Sequence, residues 1–136
     1  MFSIHILYSI RFLTVLLGAL PWILVAFDQN PISMLLFKGF CHQIPERTLI
    51  ICGAPMAVCS RCAGIYAGIA IGAVTPSFGF MSEYGRTAVW MAFSIVLLDV
   101  AIQNFLLNSI NHSLRITTGF IAGWTAITFL FSSIEK

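Results

Sequence analysis

Thiols and one imidazole are concentrated in a single segment, FCHQIPERTLIICGAPMAVCSRCAGIY, at residues 40–66. All four cysteines lie there, and His42 directly follows Cys41. Cys59 and Cys62 form a CxxC pair, which supplies either half of a metal site or a redox couple. Because thiolates and imidazoles suit tetrahedral zinc, the spacing predicts a zinc site. Its expected ligands are Cys41, His42, Cys59 and Cys62.

Two other interpretations of the cysteines stay open. A CxxC pair also suits thiol–disulfide exchange, in which Cys59 and Cys62 would react with Cys41 or Cys52. In a membrane protein that chemistry would use a quinone as its cofactor. Alternatively, the thiols only fill space as small apolar groups. The direct succession of Cys41 and His42 favours metal ligation over the redox interpretation.

Charged and amide side chains lie beside these ligands in the sequence. Arg61 stands between the two cysteines of the CxxC pair, and Arg47 follows Glu46 in the preceding loop. A cation near a thiol favours thiolate, and guanidinium groups also bind phosphate or carboxylate. We therefore expect Arg47 and Gln43 to contact a substrate, and Arg61 and Glu46 to take part in catalysis. Anchoring of the loop at the lipid headgroups is the alternative for both arginines.

A second polar set lies in otherwise apolar sequence further along the chain. Asp99 and Gln103 are four residues apart, which places them on one face of a helix. A charge inside a membrane costs several kcal/mol unless it is paired or hydrated, so such residues are expected to be functional. Asp99 and Arg115 are predicted as catalytic residues and as partners, and Gln103 as a substrate contact. A purely structural ion pair, or a neutral Asp99, is the alternative.

Composition indicates what kind of scaffold must position these groups. Of the 136 residues, 59% are hydrophobic and 9% are charged, against about 25% charged in soluble domains. Mean hydropathy is +0.95, which predicts one integral membrane domain over residues 1–136 with the lipid bilayer as its partner. A net charge of +2 gives no broad basic field for nucleic acid. The N-terminus lacks the features of a removable signal peptide and reads as a retained span.

Four apolar segments predict an all-α membrane protein. The expected architecture is a compact bundle of four transmembrane helices with both termini on one side and the Cys/His loop between helices 1 and 2. A polar turn at residues 81–86 is expected to separate the second and third spans. The predicted spans are Ile6–Phe27, Arg61–Val74 (reaching Phe80 at most), Thr87–Leu107 and Leu114–Phe131.

Glycines recur at helical spacing in two of these spans. Gly64, Gly68 and Gly72 share one face of the second span, and Gly119 and Gly123 share one face of the fourth. Small residues at this spacing allow two helix backbones to approach closely in lipid. These GxxxG faces predict tight packing inside the bundle or a homo-oligomer.

The motifs CHQIPERT and VCSRCAGIYAGIAIG resemble the signature CHQxPERS followed by PxCxRCxGIYxG, with a match that covers Cys41–Gly68. That signature is typical of a family of small prokaryotic membrane proteins of unknown function. Thr48 and Ala57 replace the family's usual Ser and Pro, and Cys52 is not part of the signature. The resemblance implies a four-helix protein of the prokaryotic inner (cytoplasmic) membrane and no established activity. A second, shorter similarity covers Asp99, Gln103, Arg115, Thr118 and Gly119.

Three functions fit these residues, and whether the protein is an enzyme stays open. The first is a zinc site at the membrane face, in a metalloenzyme that acts on an anionic lipid or lipid-linked substrate. The second is a membrane thiol–disulfide oxidoreductase that uses Cys59 and Cys62 with a quinone. The third is a transporter for a metal ion or small solute, whose path Asp99, Gln103 and Arg115 would line.

Overall fold

Helices dominate the computed structural model, which describes residues 4–27, 31–51, 53–76, 79–106 and 111–135. A 3₁₀ turn at Pro45–Arg47 precedes the first strand, and a π-helical turn at Ile102–Leu106 extends the fourth helix. In chain order the elements are α1 (Ile4–Phe27), α2 (Pro31–Phe37), β1 (Thr48–Ile51), β2 (Ala54–Cys59), α3 (Ser60–Val74), α4 (Gly79–Ala101) and α5 (His112–Ile134).

Three helices in the described part of the chain are long and apolar enough to cross a membrane. These segments are Ile4–Val25, Glu83–Phe105 and His112–Ile134, of 22, 23 and 23 residues. The remaining apolar helix, α3, has 15 residues and is therefore about 22 Å long, against about 30 Å for the hydrocarbon core of a bilayer. The prediction of a helical membrane-type protein is confirmed, with α3 shorter than a usual span.

Two local predictions are wrong. The sequence predicts a loop between Arg47 and Cys59, whereas β1 and β2 form an antiparallel hairpin there. Gly53, with φ of +82°, provides the left-handed backbone of its turn. The predicted polar turn at residues 81–86 lies inside α4 instead. No proline interrupts that segment, and the buried Gly85 packs against α5, so the helix continues through it.

The central packing contact joins α3 and α5 through the predicted glycine faces. Gly64 and Gly68 lie against the backbone of α5, and Gly119 and Gly123 lie against the backbone of α3. Residue numbers at the contacts rise together along both helices, from Gly64 with Ile116 to Gly68 with Phe120, so the two helices run parallel. The N-terminal turns of α3 and α5 therefore lie side by side at one end of the bundle. The predicted homo-oligomer stays a prediction.

At the other end of the bundle, Arg11 joins the first and last helices. Its Nη2 lies 2.6 Å from Glu135 Oε1. Its Nη1 donates to the carbonyl oxygens of Ala73 and Thr75 at 3.3 and 3.0 Å. The described ends of the chain thus meet at the C-terminal end of α3. Cys41, Cys59 and Cys62 lie at the opposite end. The predicted placement of both termini on one side of the membrane stays a prediction.

Candidate metal centre

Three of the predicted ligands form a compact thiol cluster, defined here as Cys41, Cys59 and Cys62. Their Sγ atoms all lie within 4.8 Å of one another. Thiolates bound at about 2.3 Å to a tetrahedral zinc lie about 3.8 Å apart. Small side-chain movements would therefore bring the three sulfurs to ligand distance, and a soft three-thiolate donor set fits zinc.

The hairpin and two helix ends hold this cluster together. Cys59 ends β2 and Cys62 lies in the first turn of α3, so the strand-to-helix junction brings both thiols together. Cys41 follows α2, where its N–H donates to the Phe37 carbonyl at 2.9 Å. Gln43 has φ of +48° and donates from Nε2 to the Ala57 carbonyl at 2.9 Å. That contact joins the Cys41 loop to β2.

Hydrogen bonds reach two sulfurs of the cluster, those of Cys41 and Cys59. The backbone N–H of Cys59 donates to Cys41 Sγ at 3.2 Å. A hydrogen bond from the Cys62 thiol is the main cause that lowers the pKa of Cys59 to about 5, against the opposing effect of burial. Backbone hydrogen bonds at Cys62 and Arg61 act in the same direction. The hydrogen bond from Cys62 thus favours the thiolate form of Cys59, which is the form that binds metals.

His42, the fourth predicted ligand, lies next to the cluster but outside it. Its side chain is exposed, and the group of mutually close ligand atoms found in the described residues contains only the three sulfurs. The imidazole instead borders the pocket described next. Cys52, which the redox alternative also uses, lies outside the described residues.

A pocket of about 300 Å³ opens beside the thiol cluster, and we call it the arginine pocket. It combines soft ligands, cations and apolar side chains in one concave surface, as ligand sites commonly do. The wall contains Phe40, Cys41, His42, Gln43, Ile44, Arg47, Cys59, Arg61, Cys62, Ile65 and Arg115.

Arg61, rather than Arg115, is the ionic partner of Asp99. Both Nε and Nη2 of Arg61 donate to Asp99 Oδ2, the former at 3.2 Å. Gln103 donates to the other carboxylate oxygen at 2.6 Å, and Thr118 donates to Oδ2 at 3.3 Å. The predicted Asp99–Arg115 pair is therefore wrong. Since both oxygens of Asp99 accept hydrogen bonds, its contacts are those of a group that positions Arg61.

Arg115 is buried in the wall of the arginine pocket, with only 3% of its surface exposed. Its Nε is buried and has no hydrogen-bond acceptor among the described residues. Arg47, on the same wall, donates to Asn104 Oδ1 at 3.3 Å. The two arginines thus differ: Arg47 has a neutral partner, whereas Arg115 presents an unsatisfied donor.

The other predicted site residues do not line this pocket. Glu46 is exposed on the 3₁₀ turn, and neither it nor Asp99 is among the described residues that line the pocket. Gln103 contacts Asp99 instead of the pocket. The roles assigned to these residues from the sequence stay predictions. The sequence assigns no role to Asn104, which accepts a hydrogen bond from Arg47. Thr118 lies about one helical turn after Arg115, and this spacing is the sequence feature that points to its contact with Asp99.

A family comparison covers the same part of the chain as this site. The profile of one protein family, described as "Predicted membrane protein (DUF2085)", matches residues 41–129, from the first cysteine to the last turns of α5. The chain belongs to this DUF2085 family. Its membership agrees with the three apolar helices and with the resemblance found in the cysteine motifs.

Two archaeal proteins are similar to this DUF2085 member. Uncharacterized protein MJ1492 of Methanocaldococcus jannaschii is 35% identical over 98 residues, which are 69% of this chain and 63% of that protein. An uncharacterized protein of Methanothermobacter thermautotrophicus is 36% identical over 90 residues, or 64% of this chain and 80% of that protein. The chain thus spans less than two thirds of the first relative. No solved structure matches the chain.

Replacing Asp99 with asparagine should lower the free energy of unfolding by about 2–3 kcal/mol, because Arg61 loses its ionic partner in a mostly buried place. Thermal or denaturant unfolding of the protein in detergent micelles measures the loss. Glu135→Gln is the matched control, since it neutralises the other described ion pair, whose carboxylate is 25% exposed. That control should cost at most about 1 kcal/mol. Equal losses in the two variants would contradict the assigned role of Asp99.

Proposed function

We propose that this protein binds one zinc ion through the thiol cluster and that the fourth coordination position faces the arginine pocket. The observation that carries this proposal is the mutual approach of three sulfurs to within 4.8 Å. Closed zinc sites are structural, whereas an open position is typical of catalytic ones. The exposed His42 imidazole lies outside the sulfur group, which favours an open position over a four-ligand site.

The finer proposal is a metalloenzyme that acts on an anionic lipid or lipid-linked substrate. A bound zinc would lower the pKa of a water molecule and polarise the substrate. The chain itself supplies Arg47 and Arg115 for the negative charge and Arg61, which Asp99 orients. Phe40 and Ile65 add apolar wall to the same pocket. Soft metal ligands and cations thus border one space of small-molecule size.

The membrane arrangement supports a substrate that belongs to the lipid surface. We propose that α3 is a fourth, short span and completes a four-helix transmembrane bundle. Because α3 has 15 residues, its ends cannot both reach the headgroups of a bilayer about 30 Å thick. The thiol cluster at its N-terminus would then lie at or just below one membrane face. The archaeal relatives agree with a place in the cytoplasmic membrane of a prokaryote.

Elemental analysis and thiol counting on the purified protein test the proposal. We expect about one zinc per chain, and the three cluster thiols should react with a thiol reagent only after a chelator has removed the metal. A metal-free protein whose disulfide is cycled by reductant and quinone would overturn the proposal in favour of the oxidoreductase. Metal flux into liposomes, abolished by Asp99→Asn, would favour the transporter.

The His42→Ala variant separates an open site from a closed one. If the three thiolates are the only protein ligands, His42→Ala should keep its zinc content at equal free zinc. Its zinc affinity should then stay within about twofold of that of the native protein. Loss of a true fourth ligand would weaken binding by far more than the 10–100-fold that outer contacts typically contribute. Such a loss would restore His42 as the ligand that the sequence predicts.

A further inference from the structure

We infer that the arginine pocket binds a singly charged phosphodiester group, such as the one in a phospholipid headgroup, and that Arg115 is its main protein contact. The inference names the substrate chemistry of the proposed metal site, and so it rests in part on the proposed function. The observations that carry it are the burial of Arg115, its unsatisfied donor, the charges around it and the apolar edge of the pocket.

Burial makes the unsatisfied donor of Arg115 significant. A guanidinium in a low-dielectric place is costly unless its N–H groups are hydrogen-bonded to a counter-charge. Arg115 is 3% exposed, and its Nε has no acceptor among the described residues. Because Arg61 is held by Asp99 and Arg47 by Asn104, Arg115 alone of the three has no such contact there. An oxyanion in the pocket would supply it through paired N–H···O bonds.

The charges around the pocket favour a ligand with one negative charge. Zinc with three thiolates carries a single net negative charge, and Asp99 neutralises Arg61. Arg47 and Arg115 then leave the site with a net single positive charge. A phosphodiester neutralises it, whereas a phosphate dianion would leave one uncompensated charge at the membrane face. Charges that cancel inside a low-dielectric site are far less costly than one left alone.

The position and edge of the pocket fit an amphiphile. The parallel α3 and α5 begin side by side here, and their N-terminal turns carry positive partial charge that favours an anion. Phe40 borders the pocket and is 82% exposed. In a bilayer such a ring would contact acyl chains, so a lipid could place its phosphate beside Arg115 and its chains along Phe40.

Calorimetric titration of the zinc-loaded protein in detergent micelles tests the inference. The probes are a short-chain phosphatidylglycerol, its soluble headgroup glycerophosphoglycerol, inorganic phosphate and the uncharged short-chain diacylglycerol. We expect binding of both phosphodiesters, with the lipid tighter than the headgroup alone. Equal binding of lipid and headgroup would assign the site to a soluble phosphodiester. Binding of diacylglycerol as tight as that of phosphatidylglycerol would overturn the inference.

Variants of Arg115 give the decisive comparison. Arg115→Lys keeps the charge but loses the forked donors, and it should weaken phosphodiester binding by about tenfold. Arg86→Lys, at an exposed position of α4, is the matched control and should change nothing. If Arg115→Lys does not fold, Arg47→Gln serves instead and should weaken binding about threefold. Unchanged affinity in the Arg115 variant, or in its substitute, would overturn the inference.

Zinc content, measured on every variant, keeps the two proposals apart. A native protein that holds zinc but binds no phosphodiester would refute the anion site and leave the metal centre standing. A native protein without zinc whose phosphodiester binding still depends on Arg115 would refute the metal centre and leave the anion site standing. Arg115→Lys should keep its zinc, since Arg115 is not a metal ligand in either proposal.

Discussion

Replacing Cys59 with serine should abolish zinc binding, from about one ion per chain to a trace. The substitution removes one of the three sulfurs that lie within 4.8 Å of one another. A serine hydroxyl does not ionise near neutral pH and cannot replace the thiolate, whose pKa in this protein is lowered to about 5. Since contacts outside the ligand sphere already contribute 10–100-fold to metal affinity, loss of a ligand should cost at least about a hundredfold. Competition with a chromophoric chelator measures the change.

A second cysteine supplies the control for this experiment. Cys52→Ser makes the same chemical change at the cysteine outside the proposed ligand set, and its zinc content should equal that of the native protein. Cys41→Ser and Cys62→Ser should behave like Cys59→Ser, because the three sulfurs are equivalent as ligands. If Cys59→Ser and Cys62→Ser both retain native zinc content, the metal proposal is wrong. Loss in the Cys52 variant as well would point to general misfolding.

Chemistry made the thiol cluster predictable from the sequence. Few side chains bind soft metals, and a CxxC pair with another cysteine upstream limits how the ligands can be arranged. The hairpin between them was not predictable from the residue types alone, because strand formation depends on how side chains pack against cross-strand and same-face neighbours. Here the turn at Gly53 and the contact of Gln43 with β2 fold the segment back. The same contact brings Cys41 to Cys59.

The predicted Asp99–Arg115 pair is wrong for a different physical reason. Arg115 is near Asp99 along the chain, but the ionic partner depends on how α3 and α5 are aligned. Their parallel glycine faces bring Arg61 against Gly119, one turn beyond Arg115, and so within reach of Asp99. Sequence spacing reveals that these faces exist and leaves their partner unspecified. The freed Arg115 is what gives the pocket its unsatisfied donor.

Replacing Gly64 with valine should have the largest effect on stability of any variant considered for this protein. A Cβ at this position would overlap the carbonyl oxygen of Ile116 and come within 3.0 Å of its Cα. Because the obstacle is backbone, no side-chain rotation relieves it, and α3 must move away from α5. The loss of unfolding free energy should exceed the usual range for overpacking, about 1–3 kcal/mol. Zinc content should fall too, since Cys62 moves with α3.

Variants of two further glycines and a size measurement test whether the GxxxG face packs α3 on α5 or joins two copies of the protein. Gly39→Ala should be nearly neutral because nothing lies within 4 Å of the added Cβ. Gly72→Ala should cost less than Gly64→Val, since it adds a smaller side chain and its nearest obstacle is a methyl group (Cγ2) of Ile127 rather than backbone. If the face packs α3 on α5, Gly64→Val lowers the unfolding midpoint in detergent without a native oligomer being lost first. If it joins two copies instead, light scattering would show dissociation into stable, zinc-loaded monomers, and the intramolecular assignment would be wrong.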